Sequence, residues 1–315
     1  MAMRTSRRLA AVMVPISLLS LTLVACGGGE PSTGATPAAS AKQEIPSEVI
    51  KTTVNKDLAA KLPKGQGRTL NFGVNLTSPP SRFLDEHGRP VGFNVDLSKL
   101  LAQKLGLTAK INDVPFEQII PGLAARRYDL SLAGMSRTPE RELELDMVEY
   151  MKGSGGVGVP AGNPKKVKAS SLTSLCGQHL GALLGSFQEL NTVPEIKKAC
   201  AAKGLPTVKY TSYGTNNDAI LALGSRRIDA VLASGAVTTY AAHEQPDVFA
   251  SVIIDGTWSH DNIALRKDSP LTPTVAKAFQ ELMDEGSYAK VLEKWGIPNY
   301  ALTKVSEVQT PVEQQ

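Results

Sequence analysis

The chain has 315 residues, a formal net charge of +4 and only 5% aromatic residues. Three of its 34 basic residues and none of its 30 acidic residues lie in the first 25 positions, so 31 basic residues face 30 acidic ones in the remainder. A nearly neutral chain without a basic stripe argues against a nucleic-acid partner. The roughly 250 residues of the main body suffice for a hydrophobic core divided between two lobes.

Residues 1–25 have the pattern of a secretory signal. Three arginines precede a mostly apolar run over residues 9–23, which Pro15 interrupts. A membrane-spanning helix is the alternative, but a span needs about 20 apolar residues. This run is shorter and is broken by proline, so the pattern favours an export signal.

The apolar run ends in Leu-Val-Ala-Cys at positions 23–26, which resembles a bacterial lipobox. We expect cleavage before Cys26 and acylation of its thiol; the alternative is ordinary cleavage that leaves a spare thiol. Two or more acyl chains would anchor the protein firmly, because each buried methylene contributes about 0.8 kcal/mol. Residues 26–46 are rich in Gly, Ser, Thr, Ala and Pro and are predicted to form a flexible tether.

If Cys26 is acylated, Cys176 and Cys200 remain as an even pair. Outside the cytoplasm such a pair is expected to form a disulfide, and two buried free thiols are the alternative. A disulfide over this loop would stabilise the fold by about 3 kcal/mol. The histidines form no ligand-like spacing with the cysteines, so we expect neither a metal nor a cofactor. The histidines are His87, His179, His243 and His260.

Strand and helix signals alternate from residue 70 onwards, which predicts an α/β fold with a parallel sheet. A helical extension is expected before them, over residues 47–67. The strand patterns lie at residues 70–74, 107–111 and 128–133, with a hairpin at 83–93. The helical patterns lie at 116–126 and from Asp96 to the stop signal Gly106.

An internal echo relates residues 120–134 to residues 220–234. Ile, Leu, Arg, Arg, Asp, Leu and Ala recur at the same relative positions in both stretches. The unit is a helix, a tight turn and a buried strand, and two copies suggest two similar lobes. Such units also converge on this pattern independently. With two lobes, Gly134 and Ser234 would end equivalent strands and face a cleft, because ligands of α/β sheets bind beyond the carboxyl ends of strands.

Arg141 stands out because a cation in the first turn of a helix has the wrong sign for the helix dipole. Thr138 and Pro139 read as an N-cap and a first-turn proline, which places Arg141 in that turn. One interpretation is a surface ion pair with Glu140 or Glu144. The other is an anion site that combines the guanidinium with free backbone N–H groups, a geometry suited to a carboxylate.

Four segments together resemble the family-three extracellular solute-binding proteins of polar amino-acid ABC importers. The similarity runs from about residue 70 to 297, and Cys176 and Cys200 match a cysteine pair of one branch. The segments are GRPVGFNVDL at 88–97, FEQIIPGL at 116–123, AGMSRTPER at 133–141 and GSYAKVLEKWG at 286–296.

The resemblance implies a two-lobed periplasmic-binding-protein type II fold of the α/β class. Each lobe would contain a mixed, mostly parallel sheet flanked by helices. Two hinge crossovers, near residues 152–160 and 261–267, would join the lobes. The implied boundaries are 68–155 and 264–301 for lobe 1, 156–263 for lobe 2 and 302–315 for a flexible tail.

The resemblance also implies roles for residues of the first lobe. Arg141 would hold the ligand carboxylate, and Ser136 would bind the ligand through its hydroxyl and its N–H. The carbonyl of Gly134 would accept a hydrogen bond from a ligand ammonium, and Phe116 would line the pocket.

In the second lobe, Gly-Ser-Phe-Gln at 185–188 matches the family's G-T-T-Q loop. Ser186 and the N–H of Phe187 would close onto the ligand carboxylate, and Gln188 completes the loop.

Three positions depart from the family pattern. Ser234 stands where an aspartate normally pairs with the ligand ammonium, and Asn75 and Ser78 replace the first Asp and the stacking Tyr of D-x-x-Y-P-P-F. Loss of one partner of a buried charge pair costs about 3–5 kcal/mol, roughly a hundredfold or more in affinity. We therefore expect a ligand whose second end is uncharged, methylated or differently placed, unless another carboxylate substitutes. The candidates are Asp261, Glu117 and Glu189.

By this resemblance the chain would be a lipid-anchored protein on the extracytoplasmic side of the cell membrane. It would capture a small amino-acid-like ligand for an ABC permease, as a monomer. A ligand-sensing receptor without transport is one alternative. A dehydratase-like enzyme on the same fold is another, which the lack of paired carboxylates or a nucleophile with its base disfavours.

Overall fold

A computed structural model describes residues 45–168, 170–254 and 259–307. The predicted signal, most of the predicted tether with Cys26, and residues 308–315 of the predicted tail lie outside these ranges. Within the described ranges, no helix has both the length and the apolar character needed to cross a membrane.

Strands and helices alternate along the described chain, as an α/β fold requires. The strands are β1 Thr69–Val74, β2 Thr77–Ser78, β3 Arg82–Leu84, β4 Pro90–Val91, β5 Thr108–Asp113, β6 Leu130–Ser136, β7 Leu145–Gly153, β8 Gly155–Pro160, β9 His179–Leu183, β10 Lys209–Tyr213, β11 Ala230–Ser234, β12 Phe249–Ile253, β13 Ser259–Arg266 and β14 Ala301–Glu307. The helices are α1 Lys56–Ala59, α2 Phe93–Lys104, α3 Ile119–Ala124, α4 Pro139–Glu144, α5 Val193–Ala202, α6 Asn216–Gly224, α7 Gly235–Glu244, α8 Thr272–Asp284 and α9 Ser287–Lys294.

The first sheet has the strand order β14-β7-β13-β6-β1-β5. Strand β1 pairs in parallel with β5 and β6, and helices α2 and α3 lie in the connections between these strands. Leu97 and Leu101 of α2 are fully buried in the core of this sheet. Burial of each such side chain contributes about 1.5–3 kcal/mol relative to exposure.

The second sheet has the strand order β10-β9-β11-β8-β12. Strand β9 pairs in parallel with β10 and β11, whereas β8 is antiparallel to β11 and β12. Helix α5 packs onto this sheet through Ile196 and Cys200, both fully buried. Cys200 forms the predicted disulfide with Cys176, with the two Cα atoms 5.7 Å apart.

Both sheets are mixed, as the resemblance implied, but the expectation that each is mostly parallel is wrong. Among the described strands, two of five pairings in the first sheet and two of four in the second are parallel. Parallel pairing is limited to strands connected through helices. The antiparallel pairs arise where the chain passes between the sheets. Strand β7 ends at Gly153 in the first sheet, and β8 begins at Gly155 in the second. This passage falls inside the crossover predicted at 152–160.

The predicted return crossover at 261–267 is wrong, and so is the predicted end of lobe 2 at residue 263. Strand β13, Ser259–Arg266, pairs with β7 along its whole length and with β6 from Asp261 to Leu265. Strand β12 ends at Ile253 in the second sheet, and β13 already belongs to the first sheet at Ser259. The bounds came from the family resemblance, and the polar residues His260, Asp261 and Asn262 show no apolar pattern that would have indicated a strand there.

Three local predictions also need correction. A flexible tail was expected from residue 302 onwards, but residues 301–307 form β14, which pairs with β7. Only α1 is helical in the stretch 47–67. Helix α2 begins at Phe93 instead of Asp96, because the N–H groups of Phe93 and Asn94 bond to the carbonyls of residues 80 and 81 and so replace a side-chain cap.

The internal echo corresponds to a repeated helix–turn–strand unit. Arg126 and Arg226 adopt the left-handed conformation, with φ of 57° and 56°. Asp129 then accepts a hydrogen bond from the N–H of Asn71 at 2.8 Å, and Asp229 accepts one from the N–H of His179 at 2.9 Å. Each aspartate thus joins its turn to the start of the neighbouring parallel strand, which is a structural role.

Candidate functional site

A cavity lies between the two sheets and is lined by both lobes. Ten of the eleven ligand-site residues predicted from the sequence line it: Ser78, Phe116, Gly134, Ser136, Arg141, Ser186, Phe187, Gln188, Ser234 and Asp261. The eleventh, Asn75, is buried behind the lining. The residues predicted from the sequence therefore lie around one cavity, but the sequence did not show how their side chains are paired.

Arg141 reaches the cavity from the first turn of α4. Thr138 caps this helix, its Oγ1 accepting from the N–H of Arg141 at 3.3 Å, and Pro139 follows. The guanidinium lies over the ring of Phe116, 6.0 Å from its centroid. Only 6% of Arg141 is exposed, and no described carboxylate lies within 4 Å of it, so the interpretation as a surface ion pair is wrong.

The guanidinium of Arg141 joins the two lobes through backbone carbonyls. Its Nη1 donates to the carbonyl of Ser136 in the first lobe at 2.7 Å, and its Nη2 donates to the carbonyl of Gly185 in the second lobe at 3.0 Å. Burial lowers the pKa of Arg141 to about 10, so the group stays protonated at neutral pH. Three of its five N–H donors are not used in these bonds.

The second lobe presents the loop after β9 and the end of β11. Gly185, at φ 73°, turns the loop towards the first lobe. The Ser186 hydroxyl accepts from the N–H of Glu189 at 3.2 Å, and Glu189 in turn accepts from the N–H of Gly185. Ser234 caps α7 through a long bond from the N–H of Val237, 3.4 Å. The loop is thus held in place by its own hydrogen bonds.

Arg82 also lines the cavity and is 6% exposed, although it was not among the residues predicted from the sequence. Asn75 Oδ1 accepts from its Nε at 3.0 Å and its Nη2 at 2.8 Å, and Ser81 Oγ accepts from its Nη1 at 2.9 Å. Asn75 therefore positions Arg82 and does not itself face the cavity. Arg82 follows the variant D-x-x-Y-P-P-F segment directly, so an arginine immediately before the predicted hairpin was the available signal.

Ser78 forms a second polar contact between the lobes. Its Oγ accepts from Asn216 Nδ2 of the second lobe at 2.9 Å and from Asn75 Nδ2 at 3.3 Å. Asn216 was likewise not predicted from the sequence. A serine in place of the family's stacking aromatic thus exchanges an apolar wall for a hydrogen-bonded contact between lobes.

Asp261 is the one carboxylate of the three candidates that lines the cavity. An added Cβ at Gly134 would lie 3.1 Å from its Oδ2, so the glycine gives the carboxyl group room. Gly134 has φ 61° and lies inside β6 instead of at its end, contrary to the prediction. Desolvation raises the pKa of Asp261 from 3.8 to about 7, and the nearby Arg82 charge only partly opposes this.

The other two candidate carboxylates, Glu189 and Glu117, do not line the cavity. Glu189 bonds to Gly185 N–H, Tyr210 and Ser212 in the second lobe. One oxygen of Glu117 is buried without a hydrogen-bond partner, and the Glu117 Cβ would lie 3.1 Å from a Cβ added at Gly185. No group of three potential metal ligands occurs in residues 45–168, 170–254 and 259–307.

Residues 70–298 match the family model of the bacterial extracellular solute-binding proteins, family 3. The chain belongs to this family. This family 3 protein is 31% identical over 230 residues to the arginine-binding extracellular protein ArtP of Bacillus subtilis. The match covers 72% of this chain and 86% of the relative.

Solved structures of related binding proteins have the same two-lobed type II fold. An ancestral arginine-binding protein bound to arginine is 32% identical, with a TM-score of 0.65, over 73% of this chain and 98% of that chain. An ancestral amino acid-binding protein, a precursor of cyclohexadienyl dehydratase, is 29% identical with a TM-score of 0.61. This match covers 72% of this chain and 95% of that chain. The family relationship and the fold implied by the sequence motifs are therefore confirmed.

The raised pKa of Asp261 predicts a pH dependence of stability. A carboxyl whose pKa is higher in the folded state than in the unfolded state contributes stability at low pH, and this contribution is lost as the pH rises through the folded value. We expect wild-type protein to lose stability relative to Asp261→Asn between about pH 4 and pH 7. Since about 1 kcal/mol corresponds to about 2–4 °C at this size, the melting-temperature difference should grow by at least about 2 °C.

Thermal unfolding of both proteins from pH 4 to pH 8 tests this expectation. The exposed Asp247 provides the matched control, because Asp247→Asn removes a carboxylate of the same type outside the cavity. A wild-type curve parallel to that of Asp261→Asn across the range would contradict the assignment.

Proposed function

We propose that this family 3 protein is a lipid-anchored, extracytoplasmic receptor that captures a small, polar, carboxylate-bearing ligand between its lobes. The ligand would be amino-acid-like and would pass to an ABC importer. The observation that carries the proposal is the buried Arg141, which lines the cavity and bonds to both lobes.

The chemistry of this position favours a carboxylate. A buried cation without a counter-ion is costly, so an anionic ligand would compensate the desolvation of Arg141. The planar guanidinium can offer two parallel N–H donors, the geometry that a carboxylate accepts best. Since donors of Arg141 already reach both lobes, a ligand on this group would favour the closed arrangement of the lobes.

The names of the relatives point to the same class of ligand. ArtP and the ancestral protein with the 0.65 TM-score are described as arginine-binding, and arginine carries an α-carboxylate. A receptor that opens and closes around its ligand needs free surfaces, so we propose that it acts as a monomer delivering its ligand to a membrane permease.

Arg141→Ala should abolish ligand-induced stabilisation. A ligand at about 100 times its dissociation constant stabilises the folded state by about 2.7 kcal/mol. This corresponds to a rise in melting temperature of about 5–10 °C. We expect such a rise for wild-type protein with one carboxylate-bearing class in a thermal-shift panel of amino acids, betaines, carboxylates, sugars and oligopeptides. Arg141→Ala should show none at the same concentration.

The matched control is Arg127→Ala, which removes an exposed arginine outside the cavity lining and should keep the full shift. A shift that persists in Arg141→Ala, or the absence of a shift with every carboxylate, would refute the proposed site.

The lipid anchor is tested separately at Cys26. Acylated protein should incorporate labelled palmitate and partition into the detergent phase, because the acyl chains bury many methylenes. Cys26→Ala should lose both properties. The double variant Cys176→Ser and Cys200→Ser is the control and should keep the label, since those thiols form the disulfide. Label retained by Cys26→Ala would exclude lipidation at this residue.

A further inference from the structure

The cavity contains two buried arginines, and neither forms an ion pair with a described residue. Arg82 and Arg141 are each 6% exposed. In the described parts of the chain no carboxylate oxygen lies within 4 Å of either guanidinium. The partners of Arg82 are an amide oxygen and a hydroxyl. The partners of Arg141 are two backbone carbonyls. Neutral partners satisfy the donors but offset little of the positive charge, and the carboxyl group of Asp261 acts on Arg82 only from a longer distance.

One acidic group faces these two cations. The Asp261 carboxyl lines the same cavity and accepts no hydrogen bond from any of the described residues. Asp261 Oδ2 lies 3.1 Å and Arg82 Nη1 3.6 Å from the position of a Cβ built on Gly134. An anion site at Arg82 and an acceptor at Asp261 therefore lie next to each other on one wall, and Arg141 provides the second anion site.

We propose that the cleft selects a ligand with two carboxylates and an amino group, the chemical class of the acidic amino acids. One carboxylate binds Arg141, the other binds Arg82, and the amino group donates to Asp261. This inference rests on the proposed function, because it assumes that the cleft is the ligand site. It adds Arg82 as a residue that determines specificity.

The charge balance distinguishes this ligand from a basic amino acid. Arginine carries two cationic groups and one carboxylate, so it would bring a net positive charge into a cleft that already holds two buried guanidinium groups. Lys152 adds a third positive charge at the lining. The positions at which the family carries aspartates hold Ser234 and Asn75, so neither can neutralise a cationic side chain. Asp261 is the one acidic residue among the described residues of the lining, so the three cations outnumber it, and an acidic amino acid brings a net negative charge that offsets this excess.

Isothermal titration calorimetry on the lipid-free wild-type protein tests the inference. The ligands are L-glutamate, L-aspartate, L-glutamine, L-arginine and glutarate. We expect L-glutamate or L-aspartate to bind at least about tenfold more tightly than L-glutamine and L-arginine, the effect of one charge-assisted hydrogen bond. Glutarate lacks the amino group and should bind more weakly than L-glutamate.

Arg82→Gln should remove the preference for acidic amino acids, because it should lower the affinity for L-glutamate at least about tenfold more than the affinity for L-glutamine. Arg82→Lys keeps the charge and should retain part of the preference, which controls for misfolding of the first variant. An equal loss of affinity for all ligands in Arg82→Gln would indicate a structural role only and overturn the assignment of specificity to Arg82.

The outcomes separate the two proposals. Binding of L-arginine or L-glutamine as tight as that of L-glutamate, and dependent on Arg141, would overturn this inference and leave the proposed function standing. Glutarate binding as tightly as L-glutamate would overturn the role given to Asp261. Lack of binding of every ligand in this panel would overturn this inference, and the wider thermal-shift panel would then decide whether the proposed function stands.

Discussion

The burial of the Arg141 guanidinium between two lobes is the constraint on which the organisation of this molecule depends. A cation removed from water has to be compensated by polar partners and by opposite charge. The protein supplies one carbonyl from each lobe, at Ser136 and Gly185, and supplies no carboxylate within 4 Å among the described residues. The fold thus presents a preformed, positively charged site at the boundary between two sheets, and in our proposal an anionic ligand completes it.

The rest of the fold positions the groups around this guanidinium. Strand β6 and the cap of α4 fix Arg141 from the first lobe, and the loop after β9 brings Gly185 from the second. Strand β13 carries Asp261 across the first sheet to the same cavity. Because these groups come from separate elements in two lobes, their arrangement depends on the relative placement of the sheets. Closure and ligand capture are therefore one physical process in our proposal.

Structural features that depend on residues close together in the chain could be predicted from the sequence. The N-cap Thr138, the adjacent Pro139 and the position of Arg141 follow from local helix rules, and the echo between residues 120–134 and 220–234 follows from a repeated helix–turn–strand unit. Arg82 was not predictable in the same way, because its burial depends on Asn75 and Ser81 and on packing that local patterns do not encode. The polar start of β13 was not predicted for a related reason: a strand that lines a polar cavity does not show the apolar pattern of a strand in a core.

Small-angle X-ray scattering of the soluble domain, with and without a carboxylate-bearing ligand identified by the thermal-shift panel, tests the central claim most directly. If the ligand completes the site between the lobes, saturating ligand should reduce the radius of gyration of wild-type protein, and Arg141→Ala should show no change. An unchanged radius of gyration in wild-type protein at saturating ligand would contradict the account, because binding would then be uncoupled from the placement of the two lobes.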